Sequence, residues 1–194
     1  MRNKMFCTAA CLSIGLLACP TFAATSAASN TGDQYLMAVA DYFEVSYEDV
    51  FSNNETLTSG EIPVAFYIAQ RTNIAVDSVI RLRQTPLSWV ETASRLGLNA
   101  ACFYVMVTGE ITSKTFAPIF EKFSTTSEQN WRKLELSDNE VVNLVNLRVM
   151  YSQYDYSVYE VMAFRDANKS WDNVNKLVAE AKNEFLKKEM AEQN

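Results

Sequence analysis

The sequence predicts an all-α protein made of stacked helical units of about 30 residues, three of them related, in one compact domain over residues 34–190. Three observations lead to this prediction. Similar residues recur along the chain, serine or threonine stands three positions before glutamate at several expected helix starts, and apolar residues recur at intervals of three and four. The alternative to a purely helical chain is a short strand pair near residues 100–107, where the residues are apolar without a clear period.

The clearest internal similarity pairs residues 74–89 with residues 156–171, and in both segments an arginine is followed by a Ser-Trp pair. A weaker copy comes first, because a shift of 29 residues lays residues 40–50 on residues 69–79 with matching apolar positions. Repetition at this spacing is typical of supersecondary units that share a core with their neighbours.

Each unit is expected to consist of a helix, a tight turn, a short helix and a longer helix. Gly97 is the expected C-terminal stop of one helix, and Pro63 is expected in the first turn of another. Residues 116–123 carry a stripe of phenylalanine and isoleucine that predicts one more short helix, and residues 124–137 are expected to be irregular. The remaining helices are expected at 34–43, 47–53, 61–72, 76–84, 89–96, 138–154, 158–167 and from 171 to near the C-terminus.

Capping boxes support these helix starts, because the serine or threonine binds an amide three residues on and the glutamate reaches back. The predicted pairs are Thr58 with Glu61, Ser88 with Glu91, Ser137 with Glu140, Ser157 with Glu160 and, as a shorter variant, Ser46 with Asp49.

Residues 1–23 have the order of a secretory signal peptide. Two basic residues precede a short apolar stretch, and Pro-Thr-Phe-Ala at 20–23 provides a small-residue exit. The apolar stretch is shorter than the roughly 20 residues of a spanning helix. We therefore expect cleavage after Ala23 and a periplasmic or secreted protein.

A lipid anchor at Cys19 is the alternative, since Leu-Leu-Ala-Cys at 16–19 resembles a bacterial lipobox. Residues 24–33 are rich in Ser, Thr, Ala and Asn and are expected to form a flexible linker. No later apolar run approaches membrane-spanning length, so no membrane span is predicted.

Charge and missing residue types exclude several functions. The formal charge is −6, and removal of Arg2 and Lys4 with the leader would take it to about −8. Such a chain repels nucleic acid, although the short helix, turn and Ser-Trp segment resembles a helix-turn-helix. The chain has no histidine, which excludes Ser-His and Cys-His nucleophiles and ordinary catalytic zinc sites. We predict no catalytic residue, no metal site and no cofactor.

Four aromatic and basic residues are candidate binding groups. Arg83 and Arg165 end short helices, where a cation interacts with free carbonyl groups, although a pair of arginines could instead bind an anion. Trp89 and Trp171 follow the cap residues and are expected to cover helix junctions rather than stack on a ligand. Cys102, the cysteine that remains after cleavage, lies in an apolar context that favours a core residue over a nucleophile.

Two further candidate surfaces remain. Carboxylates alone could support glycoside hydrolysis, but Glu61, Glu91, Glu140 and Glu160 are all accounted for by capping, and Glu48 and Asp49 by an early helical turn. The second is a tyrosine cluster that could form an exposed recognition surface or seal a loop against the core. Its members are Tyr151, Tyr154, Tyr156 and Tyr159.

The segment 138–148, together with Leu-Ser-Trp at 87–89 and Cys-Phe-Tyr-Val at 102–105, resembles a loose group of uncharacterised exported bacterial helical-repeat proteins. The resemblance spans about Gln34 to Glu180 and implies a helical fold, with no activity, ligand or site residue to transfer. We therefore expect a non-enzymatic binding or scaffolding module whose partner is another envelope protein. The alternative is a carboxylate-dependent hydrolase that acts on envelope polymers.

Overall fold

The computed structural model describes residues 31–154, 156–168 and 170–192, and all regular structure in these ranges is helical, which confirms the all-α prediction. The predicted signal peptide, Cys19 and residues 24–30 of the predicted linker lie outside the described residues. Two 3₁₀ helices span Ala100–Phe103 and Glu128–Lys133. The α-helices are α1 Thr31–Phe43, α2 Tyr47–Phe51, α3 Ile62–Thr72, α4 Val76–Arg83, α5 Trp89–Arg95, α6 Ala117–Thr125, α7 Asp138–Tyr154, α8 Val158–Ala167 and α9 Trp171–Glu192.

Serine caps fix the starts of several helices, as predicted. Ser88 with Glu91 at α5 and Ser157 with Glu160 at α8 form closed capping boxes, in which the hydroxyl accepts from the glutamate N–H and the carboxylate accepts from the serine N–H. Ser46 caps α2 without a returning bond, accepting from the N–H of Asp49 at 3.1 Å. These bonds satisfy N–H groups that a helix start leaves without a partner, and they set where each helix begins.

The predicted capping box at Thr58 is wrong in one respect. Helix α3 begins at Ile62, so Glu61 is its N-cap residue and lies outside the helix. The Glu61 carboxylate does return to Thr58, where it accepts from the backbone N–H at 3.2 Å and from the hydroxyl at 2.8 Å. Pro63 is favoured in a first helical turn, so the helix starts just before it and the Thr58 bonds close a preceding turn.

Helices α1 and α3 end in similar left-handed turns. Glu44 has φ 56° and Asn73 has φ 55°. In each case the next N–H, of Val45 or Ile74, donates to the carbonyl five residues back, at 3.1 and 3.2 Å. Gly97, which follows α5, also has a positive φ, 85°, as predicted for the residue that stops a helix at its C-terminus. The turns reverse the chain within two residues and bring the next helix against the previous one.

Helix α7 lies at the centre of the fold, in contact with α1, α3, α5, α8 and α9. It is buried around most of its circumference, which explains why its sequence lacks the one-sided apolar stripe of a surface helix. Leu144, Leu147 and Val149 are fully buried there. Helix α9 packs against α1 and places Val174 and Val178 in the same core.

The predicted strand pair at residues 100–107 is not found in the described part of the chain. Residues 100–103 form a 3₁₀ helix whose first turn is capped by Asn99, and no strand pairs with the extended residues that follow. Side chains satisfy that backbone instead: Arg148 donates to the Tyr104 carbonyl at 2.6 Å, and Asp166 accepts from the N–H groups of Lys114 and Thr115. A segment whose polar groups are satisfied in this way needs no partner strand.

The stripe at residues 116–123 is buried as predicted, and helix α6 carries it from Ala117 onward. The connection after α6 contains the second 3₁₀ helix rather than being wholly irregular. Its Trp131 donates to the carbonyl groups of Phe123 and Thr126, both at 2.9 Å, and packs against Tyr104 with ring centroids 4.5 Å apart. The rings of Trp131 and Tyr104 thus cover one end of the core.

Candidate functional site

Arg83 is the centre of a polar cluster that joins four helices. Its Nη2 lies 3.1 Å from Oε1 of Glu61 and 2.7 Å from Oδ2 of Asp138, and its Nη1 donates to the Leu87 carbonyl at 2.5 Å. The guanidinium also lies over the Trp89 ring, 5.0 Å from its centroid. We call Glu61, Arg83, Trp89 and Asp138 the Arg83 cluster.

The same acids also bind Trp89, whose side chain is fully buried. Its indole Nε1 donates to Oε1 of Glu61 at 3.2 Å, and its backbone N–H donates to Oδ1 of Asp138 at 2.7 Å. Burial alone would raise the pKa of Glu61, but hydrogen bonds from Thr58 and Arg83 outweigh burial and lower this pKa. Nε of Arg83 is buried without a partner among the described residues. The other donors and acceptors named here are directed at one another, which is the arrangement of a structural joint.

Arg165 occupies a similar position beside Trp171. Its Nη1 donates to the Asn168 carbonyl at 2.6 Å, its Nε donates to Oδ1 of Asn143 at 3.1 Å, and its guanidinium lies 5.2 Å from the Trp171 ring centroid. Each arginine therefore binds a carbonyl group that follows the helix it belongs to: Leu87 lies four residues beyond Arg83, and Asn168 is the C-cap of α8. In the described ranges no carboxylate oxygen lies within 4.0 Å of Arg165, and burial lowers its pKa.

The carboxylates considered for a hydrolase are used by helix starts. Glu91, Glu140 and Glu160 each accept from the backbone N–H of the serine three residues before. The pair that the fold brings together is Glu61 with Asp138, which the sequence did not identify, and both contact Arg83. A general acid needs a raised pKa, whereas this environment lowers the pKa of Glu61.

Asp172 has the opposite electrostatic environment. Burial raises its pKa, although the hydrogen bond from the Ser59 hydroxyl to Oδ2, at 3.0 Å, acts in the other direction. Its Oδ1 is buried and has no hydrogen-bond partner among the described residues, and the same holds for Nε1 of the neighbouring Trp171. Sequence patterns did not single out Asp172, because nothing local marks which first-turn acid will face the interior.

The tyrosine cluster does not form the exposed surface that the sequence suggested. Tyr151, Tyr154 and Tyr156 are half-buried against the core, and only Tyr159 is exposed, at 38%. Tyr154 donates to Oδ1 of the fully buried Asn175 at 2.5 Å, and Tyr159 donates to the Thr108 carbonyl. The cluster therefore seals the loop against the core, which was the other reading of its spacing.

Cys102 lies at the edge of the core, half-buried with a free thiol. Its carbonyl accepts from the hydroxyl of Tyr67 at 2.5 Å. In the ranges that the structure describes, no three Cys, Asp or Glu side chains come together as metal ligands.

A groove of about 660 Å³ lies where the turn after α1 meets the turn after α3. We call it the turn groove. Phe43 and Phe66 are buried in its floor with ring centroids 5.8 Å apart, and half-buried aliphatic side chains of both turns extend the apolar surface. Its lining residues are Phe43, Val45, Asp49, Ser52, Asn53, Phe66, Ala69, Gln70, Asn73, Ile74, Ala75, Val76 and Asp77.

The rim of the turn groove is acidic. Asp49 and Asp77 are exposed on its opposite walls, in the first turns of α2 and α4, and no lysine or arginine lines it. Phe51, also on α2, is 48% exposed and stacks on Tyr47 at 5.5 Å. Sequence reasoning missed this groove, because it arises from two distant turns that pack side by side.

A second groove, of about 560 Å³, lies between α1 and α9. Its walls carry charges of both signs, including Asp41, Lys176 and Glu180, and Met37 contributes an exposed apolar side chain. Nζ of Lys176 lies 3.9 Å from Oε1 of Glu180, and the two residues form an ion pair along one face of α9. This groove lacks the single sign of charge that distinguishes the turn groove.

Comparison of the chain with protein-family models, with curated proteins and with solved structures finds no match. The resemblance to exported helical-repeat proteins therefore stays a prediction. None of the described helices is both long enough and apolar enough to cross a membrane.

Proposed function

We propose that this protein is a non-enzymatic binding module of the bacterial envelope, and that the turn groove receives a segment of a partner protein. The occupant is a segment that carries apolar side chains flanked by lysine or arginine. The supporting observation is the pairing of an apolar floor, built on Phe43 and Phe66, with a rim that holds two aspartates and no basic residue.

The turn groove is organised like a small recognition site. Interfaces combine a buried apolar centre with a polar rim, and charge complementarity at the rim speeds association and selects among partners. Asp49 and Asp77 remain exposed, so they are available to cations of a partner.

The proposed architecture behind this surface is a stack of three related units. In support, each of the two turns that line the groove has one residue in the left-handed conformation, Glu44 or Asn73, and the N–H that follows it donates to the carbonyl five residues back. These positions are the ones that the shift of 29 residues aligned. Val50, Val79 and Val161, which the comparison of segments also aligned, are all fully buried. A binding groove between adjacent units is a common property of repeat architectures.

Export is part of the proposal, with cleavage after Ala23 and release into the periplasm or the medium. Mass spectrometry of the mature protein distinguishes this from a lipid anchor. A chain that starts at Ala24 supports simple cleavage, whereas an acylated N-terminal Cys19 supports anchoring.

Site-specific photo-crosslinking in the native envelope fraction tests the groove. A photoreactive amino acid replaces Gln70, which is exposed and lines the groove, or Glu121, an exposed residue of α6 that serves as the control position. We expect a crosslinked partner peptide from position 70 alone, with apolar residues next to lysine or arginine. Equal crosslinking from both positions, or an acidic peptide at position 70, would overturn the proposal.

Charge removal provides a matched second test. The double variant Asp49→Asn, Asp77→Asn should weaken the crosslink at position 70 and slow partner association. The double variant Glu121→Gln, Glu128→Gln removes the same charge from exposed positions away from the groove and should leave binding unchanged. Equal effects of the two double variants would show that overall charge, and not the groove, governs binding.

A further inference from the structure

Two arginines converge on one tyrosine hydroxyl between α3 and α7. Nε of Arg71 donates to Oη of Tyr67 at 3.2 Å, and Nη1 of Arg148 donates to the same oxygen. Both guanidiniums also lie near the Tyr67 ring, at 5.5 and 4.9 Å from its centroid. We call Arg71 and Arg148 the arginine pair.

The charge of the arginine pair is not neutralised by the described part of the chain. No carboxylate oxygen in those ranges lies within 4.0 Å of either guanidinium, although the protein as a whole is acidic, with a formal charge of −6. Arg83 shows the contrast, because it contacts two acids at once. Two like charges at one site repel each other, and that repulsion favours an anion between them.

Tyr67 itself is fully committed and cannot serve as the counter-ion. Its hydroxyl donates to the Cys102 carbonyl at 2.5 Å and accepts from both arginines, which uses its one proton and both lone pairs. The side chain is 2% exposed, so the oxygen is a fixed anchor. It orients the two guanidiniums without cancelling their charge.

Donor capacity remains on the arginine pair. Arg71 is exposed, and its Nη1 and Nη2 form the planar fork that binds carboxylate and phosphate groups with two parallel hydrogen bonds. Arg148 is half-buried and fixed by its bond to the Tyr104 carbonyl at 2.6 Å. Both guanidiniums are thus oriented by Tyr67, and Arg71 presents its fork at the surface.

Helix position explains only one of the two charges. Arg71 lies in the last turn of α3, where a cation is favoured by the helix dipole. Arg148 lies within α7 and has no such advantage. Burial raises the pKa of Tyr42, and the charges of Arg148 and Arg71 act in the opposite direction.

We propose that Arg71 and Arg148 form a binding site for an oxyanion, a carboxylate or a phosphate group presented by a small ligand or a partner. The site is independent of the turn groove, whose lining contains neither arginine.

The full chain, in a buffer free of phosphate, is titrated with inorganic phosphate and separately with acetate, and the Nε–H resonances of the arginines are followed by NMR. We expect saturable shifts of the Arg71 and Arg148 signals. Tighter binding of phosphate identifies a phosphate group as the ligand chemistry, whereas binding of acetate at least as tight identifies a carboxylate.

Variants separate specific binding from general attraction. Arg71→Gln should weaken binding by about tenfold or more, because it removes a charged fork. Arg71→Lys, which keeps the charge, should weaken it less. Arg95→Gln removes a charge from another exposed helix end and should change affinity less than about twofold.

Circular dichroism confirms that each variant is folded, and Arg71→Lys carries the test if Arg71→Gln is not. The absence of saturable binding of either probe to the native protein overturns the proposal. An equal loss in Arg71→Gln and Arg95→Gln, or equal binding by Arg71→Lys and the native protein with unshifted Arg71 signals, overturns it as well.

Discussion

Arg83 joins three other parts of the fold through polar contacts. It ends α4, yet its partners belong to the N-cap of α3, to α7 and to the residue before the α5 cap. Its side chain is only 21% exposed, as is that of Glu61, so their attraction is less screened than that of a surface pair. Loss of Arg83 would leave two acids facing each other without a cation.

We expect Arg83→Gln to lower the free energy of unfolding by about 2 kcal/mol, because hydrogen bonds to charged groups are stronger than neutral ones and Glu61 would stay partly buried without its cation. Urea unfolding at neutral pH measures this change. The control is Arg81→Gln, two residues earlier and exposed, with a bond to Ser78; its effect should stay within about 0.5 kcal/mol. Equal losses would mean that helix propensity, and not the cluster, accounts for the change.

Asp172 is a carboxylate that the fold tolerates at a cost. Its pKa is raised by burial, so the folded protein binds this proton more readily than the unfolded chain does. The stability that this provides is present below the unfolded pKa of about 3.9 and is lost as pH rises through the folded pKa. At neutral pH the charged form of Asp172 is therefore destabilising.

We expect Asp172→Asn to raise the unfolding midpoint at pH 7, since the amide keeps an oxygen for the Ser59 hydroxyl and removes the charge. The difference from the native protein should shrink as pH falls towards about 3.9, where the native carboxyl is itself protonated. Thermal unfolding across this pH range measures both effects. Asp77→Asn, at an exposed first-turn position of α4, should not stabilise at any pH; a pH-independent gain in Asp172→Asn would contradict the electrostatic explanation.

Among the helices, the capping boxes make a local contribution that can be isolated. Ser88→Ala at α5 and Ser157→Ala at α8 each remove the hydroxyl that accepts from a first-turn N–H and donates to the glutamate, while the backbone N–H bond to that glutamate remains. Each change should lower the free energy of unfolding by about 1 kcal/mol, measured by urea unfolding. Ser94→Ala, at an exposed interior position of α5, should be neutral or slightly stabilising because alanine favours the helix.

These caps also explain why so many helix bounds could be predicted from sequence. Helices α7 and α8 occupy the predicted residues, and α4 and α5 each end one residue early. Local signals sufficed at several of these bounds: a serine with glutamate three residues on marks the starts of α5, α7 and α8, and Gly97 marks the end of α5. Helix α1, by contrast, begins at Thr31, ahead of the expected Gln34, where no cap pair stood in the sequence.

Residues 100–116 could not be predicted, because distant side chains decide their structure. Asp166 binds Lys114 and Thr115 from 52 and 51 residues away, and Arg148 binds the Tyr104 carbonyl across 44 residues. The residues there are apolar without a clear period, and such a pattern does not distinguish a strand from a 3₁₀ helix. The strand pair, which was the alternative considered for this segment, is not found in the described residues for this reason.

The same limit applies to the candidate sites. The sequence indicated that Arg83 and Trp89 belong to a structural joint, but not that Asp138 closes it from 55 residues away. It gave no sign of the arginine pair, since Arg71 and Arg148 come together only through Tyr67. The turn groove likewise depends on two turns that meet only after α1, α3 and their neighbours have packed.

Across the assembled fold, the two arginine–tryptophan contacts resemble each other closely. Glu61 lies 22 residues before Arg83 and accepts from it; Asn143 lies 22 residues before Arg165 and accepts from it. Each guanidinium covers a tryptophan ring at 5.0 or 5.2 Å. If the helical units are related copies, Asn143 occupies the place of Glu61.

That correspondence has a physical consequence at the second site. Glu61 supplies an acceptor to the indole of Trp89, whereas Nε1 of Trp171 is buried without a partner. Arg165, with no described carboxylate within 4.0 Å, also lacks the acid that Arg83 has. A single change at Asn143, which is 8% exposed, could satisfy both groups.

We therefore expect Asn143→Glu to raise the free energy of unfolding by about 1 kcal/mol at pH 7, because the new carboxylate would pair with Arg165 and accept from the Trp171 indole. Asn143→Gln adds the same length without charge and should be neutral or destabilising, so urea unfolding of the two variants separates pairing from packing. The gain should disappear in an Asn143→Glu, Arg165→Gln double variant, which removes the cation that compensates for burial of the acid. If Asn143→Glu is less stable than Asn143→Gln, the two sites are not equivalent, and the proposal that the units are copies of one another loses its structural basis.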